Sequence, residues 1–319
     1  MQVVELSEVG QAVDLPRGGA ASLGVFDGVH LGHRRILTRM MERASEIGGV
    51  SIVLTFAVHP VAVLRGLPAR MITSLPHRLK LFEQLGISRC VVLPFDERVR
   101  QIEAGDFART VFVETLGLRW LVLGPDARIG FQAQGDVRFL AGFCEQNDIR
   151  LEVVEDLHVD DVRVSSTRIR AAIADGDLVR ARRMLGRDWS MLGIVMQGEG
   201  RGRKLGYRTA NLNLHHEIRP PPGVYAGWAR LEQDRHPCVI NIGIRPTFGP
   251  DGDLTVEAHL LEFDGDLYDS ELELILVQRV RSEQRFPSRE ELTLQIGRDI
   301  AEARRILARP EEEEEKPTP

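Results

Sequence analysis

Cysteine is scarce in this chain, with only Cys90, Cys144 and Cys238 among 319 residues. An odd number at wide spacing argues against a disulfide framework, and no CxxC pair is present for metal binding or thiol exchange. A reducing cytoplasm is the expected compartment. Long apolar runs are also missing: the longest apolar stretch, near 52–64, contains His59 and Pro60. The opening MQVVELSEVGQAVDL carries acids and lacks a basic-plus-apolar leader pattern, so neither export nor membrane insertion is expected. Nor is there an excess of positive charge. A net charge of −6 removes the general reason to expect polynucleotide binding and leaves room for a local basic patch that takes a small anion. The expected partner is a nucleotide.

What is present is length enough for two domains. From 20 to about 155, the apolar runs SIVLTF, CVVLPF, RWLVLG and IRLEVVE alternate with helix-like stretches at 76–85, 105–116 and 136–147. That alternation predicts a mostly parallel sheet covered by helices, with ligands beyond the carboxyl ends of the strands. A further helical stretch covers 168–185. Short strand-like segments between Gly, Pro and Asp turns then run from about 190 to 280 and predict an all-β, barrel-like second domain. Ser288, with Glu291 three residues on, opens a closing helix in a capping-box pattern, and PEEEEEKPTP forms a solvated tail.

The block GVFDGVHLGHRRIL at 24–37 is the strongest local signal. Ala20–Phe26 reads as a buried strand, and Ile36, Leu37, Met40, Met41, Ala44 and Ile47 mark one helix face, so His30 and His33 fall at a helix entrance. The first N–H groups of a helix are unpaired and lie at the positive end of its dipole, which makes this a phosphate site. Gly32 permits close approach of backbone to phosphate. Two histidines three residues apart also suit a metal, but no carboxylate or cysteine completes a ligand set locally. Ordinary turn histidines are the bland reading. Asp27 either caps the loop or positions magnesium or ATP.

Other segments add candidates. Ser165, Ser166 and Thr167 in SSTRIR read as a helix cap, followed by Arg168 and Arg170, which suit a phosphate clamp. His59 lies in TFAVHP and Asp126 in GPDARIG, each beyond a strand end. In GIVMQGEGRGRKLGYRTANLNL at 193–214, Gly198, Gly202 and Gly206 interleave with Arg203 and Lys204, without the Walker A order. Thr209 and Asn211 carry hard oxygen donors suited to Mg²⁺.

GVFDGVHLGH resembles the signature of the HxGH nucleotidyltransferases, and in this form the adenylyltransferase half of bacterial bifunctional riboflavin kinase/FAD synthetases. SSTRIR resembles the second nucleotide motif of that family, and Arg170 matches its arginine. The 193–214 loop, PPPGVYAGWARL, VINIGIRPTFG, TVEAHLLEFDGDLY and VRSEQRFPSREEL are similar, in order and spacing, to its kinase half. The resemblance spans about 15–308. It implies a Rossmann-like α/β nucleotidyltransferase domain over 1–186, a β-barrel riboflavin kinase domain with a carboxyl-terminal helix over 187–309, and an acidic tail over 310–319.

The implied chemistry is phosphorylation of riboflavin by Mg-ATP to FMN, then adenylylation of FMN to FAD and pyrophosphate. Implied roles are His30 and His33 as donors to ATP phosphates, His59 near the substrate phosphate, Thr209 and Asn211 on magnesium and ATP, and Glu257 as general base. Arg279, Arg281 and Phe286 line the flavin side, or the arginines form an ion pair with Glu283 or Glu291. The chain departs from the family at three places. Ala127 and Ile129 replace two aromatics, which predicts weaker flavin stacking by about 1 kcal/mol each. Arg208 replaces a proline and Asp269 a glycine. Other readings are a kinase with a weakened first domain, a transferase with a different phosphorylated acceptor, and a non-catalytic flavin or nucleotide sensor.

Overall fold

SIVLTF runs three apolar residues together and ends on Phe56, with no charged side chain, so a strand built from it must be covered on both faces. It forms β3 (Ser51–Phe56), with five of six residues buried. The computed structural model describes residues 1–11, 14–58, 63, 70–197, 206–214, 218–245 and 253–308. By contact clustering the chain divides into two units, Met1–Arg168 and Ile169–Pro319.

In the first unit, β1 (Gln2–Glu5), β2 (Ala20–Leu23), β3, β4 (Arg89–Leu93), β5 (Trp120–Leu123) and β6 (Arg150–Val153) make a parallel sheet in the order β1-β4-β3-β2-β5-β6. Apart from the added edge strand β1, this is the doubly wound order of dinucleotide-binding folds. Its direction reverses between β2 and β5, where such sheets take ligands. Side-chain alternation divides the core: Ile52, Leu54, Val91, Leu93 and Leu121 join one cluster, while Val53, Cys90, Val92 and Val122 join another. The second cluster receives α1 (Leu31–Glu46) through Leu37 and Met40, and α2 (Leu75–Gln84) through Leu81 and Phe82. The first receives α4 (Ala104–Ala108) and α5 (Val137–Gln146), with α3 (Glu97–Arg100) a single turn before them.

Three departures from the sequence reading have local causes. β1 has only four residues and no buried one, so nothing in its pattern announces a strand; it pairs at the sheet edge with β4. The helix expected over 105–116 is α4 followed by a π-helix, Arg109–Thr115. Leu116 N–H bonds to the Val111 carbonyl at 3.2 Å, while the Arg17 guanidinium takes the Glu114 and Val113 carbonyls at 2.6 and 2.8 Å. The stretch 168–185 is two helices, α6 (Ser166–Asp175) and α7 (Leu178–Leu185), separated at Gly176 and restarted by Asp177 as N-cap.

In the second unit, β9 (Trp189–Met196), β10 (Ala210–Leu214), β11 (Gly223–Leu231), β12 (Asp234–Arg245), β13 (Asp253–Leu260) and β14 (Glu271–Ser282) close an antiparallel barrel, β10-β13-β12-β11-β14-β9. A small hairpin, β7 (His158–Val159) with β8 (Val162–Arg163), precedes them in the chain. Leu212, Ile240, Ile242, Val256 and Ala258 are buried at alternate positions, as a filled barrel requires. The buried face of α7 packs on β9 and β14, so this helix groups with the barrel although it precedes residue 187. The closing helix α8 (Arg289–Leu307) lays Ala303 and Ile306 against Ala226, Val239, Val277 and Val280. Its N-cap forms as expected, Ser288 Oγ accepting from the Glu291 N–H at 3.2 Å. Among the described residues, no helix is long and apolar enough to cross a membrane.

Candidate active sites

The 24–33 loop is a strained connection locked from beneath. Val29 N–H closes a turn on the Phe26 carbonyl at 3.0 Å, and Gly28 sits at φ +82°, where this turn favours glycine. Phe26 and Val29 also have positive φ, 51° and 41°, although neither is glycine and both are buried. Such conformations persist only where the surroundings over-determine them. Asp27, 2% exposed, supplies much of that restraint. Its carboxylate accepts from the Ile72 N–H at 2.9 Å and the Thr73 N–H at 3.1 Å, and Thr73 Oγ1 accepts from the Gly28 N–H at 3.0 Å. Of the two readings of Asp27, loop capping is the one these contacts match.

His30 is the N-cap of α1, its Nδ1 accepting from the His33 N–H at 3.2 Å. A nitrogen that accepts carries no proton, so in this arrangement the His30 proton lies on Nε2, a donor for a ligand oxygen. The two imidazoles stack with centroids 3.5 Å apart, and Phe26 meets the His33 ring edge-on at 5.3 Å. A Cβ on Gly32 would lie 3.2 Å from the His30 ring, so glycine leaves the imidazole room. The structure thus joins His30, His33, Gly32 and Asp27. It joins the SSTRIR segment to them as well: Ser166 Oγ donates to the Asp27 carbonyl at 2.9 Å, and Ser165 Oγ accepts from the Arg168 N–H at 3.4 Å. Thr167 is exposed and Arg170 half-buried.

The GPDARIG loop is organised by ion pairs. Asp126 pairs with Arg163, which also holds Asp156 at 2.9 Å, and Arg128 pairs with Asp136 at 3.2 Å. Ile129 is buried in the sheet core and Ala127 packs against it. The expected loss of two stacking surfaces is therefore revised: side chains at both positions face the core, and replacing aromatics there changes packing.

In the barrel, one rung across three strands gathers polar groups. Glu257 on β13 stands opposite both Asn211 on β10 and Asn241 on β12. Directly opposed residues share a face, and Val256 and Ala258 on either side are buried, so Glu257 lies on the outer face. Thr209 and Asn211 line a cavity of 550 Å³ together with Arg208, Asp264, Asp266 and Tyr268. Glu257 and the cavity therefore meet at Asn211. Gly206, at φ +87°, turns the chain into this segment.

Arg281 makes a bidentate pair with Asp299 of α8, Nε at 2.9 Å and Nη2 at 2.8 Å, and lies 5.5 Å from the centre of the Phe286 ring. Its partner is neither Glu283 nor Glu291. Arg279 donates to the Pro222 carbonyl at 2.5 Å. Both guanidiniums bond to the protein framework, and Arg281 keeps its place beside Phe286. His59, Gly198, Gly202, Arg203 and Lys204 lie outside the described residues. Among the described residues, no cluster of three or more His, Cys, Asp or Glu groups is arranged to hold a metal.

Sequence reasoning missed three contributors. Thr73 and Arg78 act on the loop from about fifty residues away and carry no motif. His259 sits inside the quoted VEAHL, two residues from Glu257; its Nδ1 is 2.7 Å from the Arg208 carbonyl, and Tyr207 meets its ring edge-on at 5.5 Å.

A family model described as FAD synthetase matches residues 13–168, and one described as riboflavin kinase matches 185–307. A bifunctional riboflavin kinase/FMN adenylyltransferase of Pseudomonas fluorescens is 38% identical over 92% of this chain and 94% of its own length. Those of Escherichia coli K12 and Haemophilus influenzae are 33% and 32% identical over 91% and 90% of this chain, and 93% and 94% of their own lengths. A crystal structure described as a macrolide-efflux protein from Streptococcus pneumoniae has a TM-score of 0.83 and 25% identity, covering 95% of this chain and 99% of that one. With both family models matched in order and relatives aligned nearly end to end, the chain belongs to the bifunctional riboflavin kinase/FMN adenylyltransferase family.

Proposed function

We propose that residues 187–309 phosphorylate riboflavin with ATP to FMN, and that residues 1–186 transfer AMP from a second ATP to FMN, giving FAD and pyrophosphate. The observation that carries this reading is that one chain holds two separately built polar sites, one on the His30 and His33 cap and one on the Asn211–Glu257–Asn241 rung.

In the kinase step, Glu257 takes the proton of the riboflavin 5′-hydroxyl as that oxygen attacks the γ-phosphorus and the bond to ADP breaks. The Thr209 hydroxyl and Asn211 amide oxygen, both on the cavity wall, are hard donors that fit Mg²⁺. Bound there, Mg²⁺ would offset negative charge on the phosphates. In the transfer step, an FMN phosphate oxygen attacks the α-phosphorus of ATP and pyrophosphate departs. His30 and His33 donate to oxygens on which charge grows, at the positive end of the α1 dipole. Ser165, Ser166, Thr167 and Arg170 supply further donors for phosphate. His59 and Asp126 are assigned to the acceptor side, and Gly198, Gly202, Arg203, Lys204 and Gly206 to the kinase phosphates. Phe286 is assigned to the flavin side. The compartment proposed is the cytoplasm, with small-molecule partners and no nucleic acid.

Chromatography of products from riboflavin, ATP and magnesium tests the reading. FMN followed by FAD is expected. FMN alone favours the kinase with an altered first domain, and neither product overturns the proposal.

A further inference from the structure

Arg78 on α2 is 2% exposed. Burying a guanidinium is expensive unless its donors are used, and an apolar side chain of similar size would fill the space at less cost. Here the fork spans two strand ends. Nη1 donates to the Val25 carbonyl, just beyond β2, and Nη2 to the Phe56 carbonyl, the last residue of β3, at 3.2 Å. Among the described residues, Nε is buried without a hydrogen-bond partner. Thr55 Oγ1 also donates to the Val25 carbonyl at 3.2 Å, so that oxygen is gripped from two sides. Burial pulls the Arg78 pKa down, while the Asp27 carboxylate opposes the shift.

These contacts are placed where reaction geometry is set. Val25 opens directly into the strained Phe26–Val29 turn that presents His30 and His33, and Phe56 opens into the segment leaving the neighbouring strand. A polyanion bound beyond these strand ends would meet bare main-chain oxygens. Arg78 occupies two of them and leaves a fixed positive charge beneath the loop. Asp27 and Thr73 hold the middle of the turn, and Arg78 holds its base.

We propose that Arg78 is a positioning residue for adenylyl transfer, buckling the histidine-bearing loop to the end of β3 so that both advance on the α-phosphorus in fixed register. The inference rests on the adenylyl-transfer reading. A wild-type enzyme that makes no FAD from supplied FMN and ATP would sink that reading and leave Arg78 without a reaction to position. With wild-type transfer established, Arg78→Met and Arg78→Lys are compared for FAD formation from FMN, ATP titration and thermal unfolding. FMN formation from riboflavin in the same preparations checks the second unit.

Arg78→Met is expected to lower kcat for FAD formation by about 100-fold, the scale of a misplacement near 1 Å, with KM for ATP changed less than about threefold. Lysine keeps the charge but lacks the planar fork, so Arg78→Lys should recover part of kcat while still falling about tenfold short. Should the methionine variant unfold, the lysine variant decides: folded with reduced kcat supports positioning. Wild-type kcat in folded Arg78→Met or in Arg78→Lys, proportional loss of kcat and ATP binding, or unfolding of both variants would each overturn it.

Discussion

His30 and Glu257 divide the chemistry between them, one at a helix cap and one on a barrel rung, and substitutions should separate the reactions. His30→Ala removes the Nε2 donor and is expected to let FMN accumulate from riboflavin while FAD formation falls by about 100-fold or more. Glu257→Gln should abolish FMN formation while FAD formation from supplied FMN survives; loss of both activities in a folded variant would contradict separate sites. His259 gives a finer test. Its Nδ1 contact holds the Arg208 carbonyl next to Thr209. An asparagine amide reaches from nearly the same place as Nδ1, so His259→Asn should keep most kinase activity and His259→Ala should lose about tenfold, one misaligned contact's worth. Equal activity in the two variants would show that the contact does not position Thr209.

Among the elements, α1 and β6 are clamped by Glu152, which accepts from Arg43 at 2.6 Å and Arg39 at 2.8 Å. Burial pushes the Glu152 carboxyl up, but the two arginine hydrogen bonds outweigh it and leave its pKa lowered. A lowered folded pKa means that this stabilisation is complete above the unfolded value of about 4.3 and is lost as pH falls through the folded one. Glu152→Gln should therefore lower neutral-pH stability of the first unit by about 1 kcal/mol. It should also flatten the acid limb of its unfolding curve below about pH 4.3. An unchanged acid limb would show that Glu152 contributes nothing.

The elements also mark what local pattern can disclose. The mostly apolar SIVLTF became β3 at the expected residues, and Ser288 capped α8, because each needs only its own neighbourhood. The π-helix was illegible, and the arginine that takes its Glu114 carbonyl stands 97 residues away. At the first site, the histidines and glycines were visible as a block. The Asp27–Thr73 latch was not, because 46 residues separate its partners and neither type is unusual in a loop.

For the whole molecule, two units on one chain mean that each activity reports on the other's variants, and the cysteines report on folding of both. Cys90 and Cys144 are pushed up to about 12 and about 11 by burial, and Cys238 is raised as well. A thiol reagent at pH 8 should label none of them in the native protein and all three in denaturant. Native labelling at Cys238 would show the barrel opening under native conditions.

His259 grips the oxygen of residue 208, not its side chain. Every amino acid carries that oxygen, so the contact is indifferent to which one stands there. The backbone at 208 is thus held whatever side chain stands there, and the Arg208 side chain is left to the cavity wall, where its guanidinium also donates to the Asp264 carbonyl at 3.5 Å.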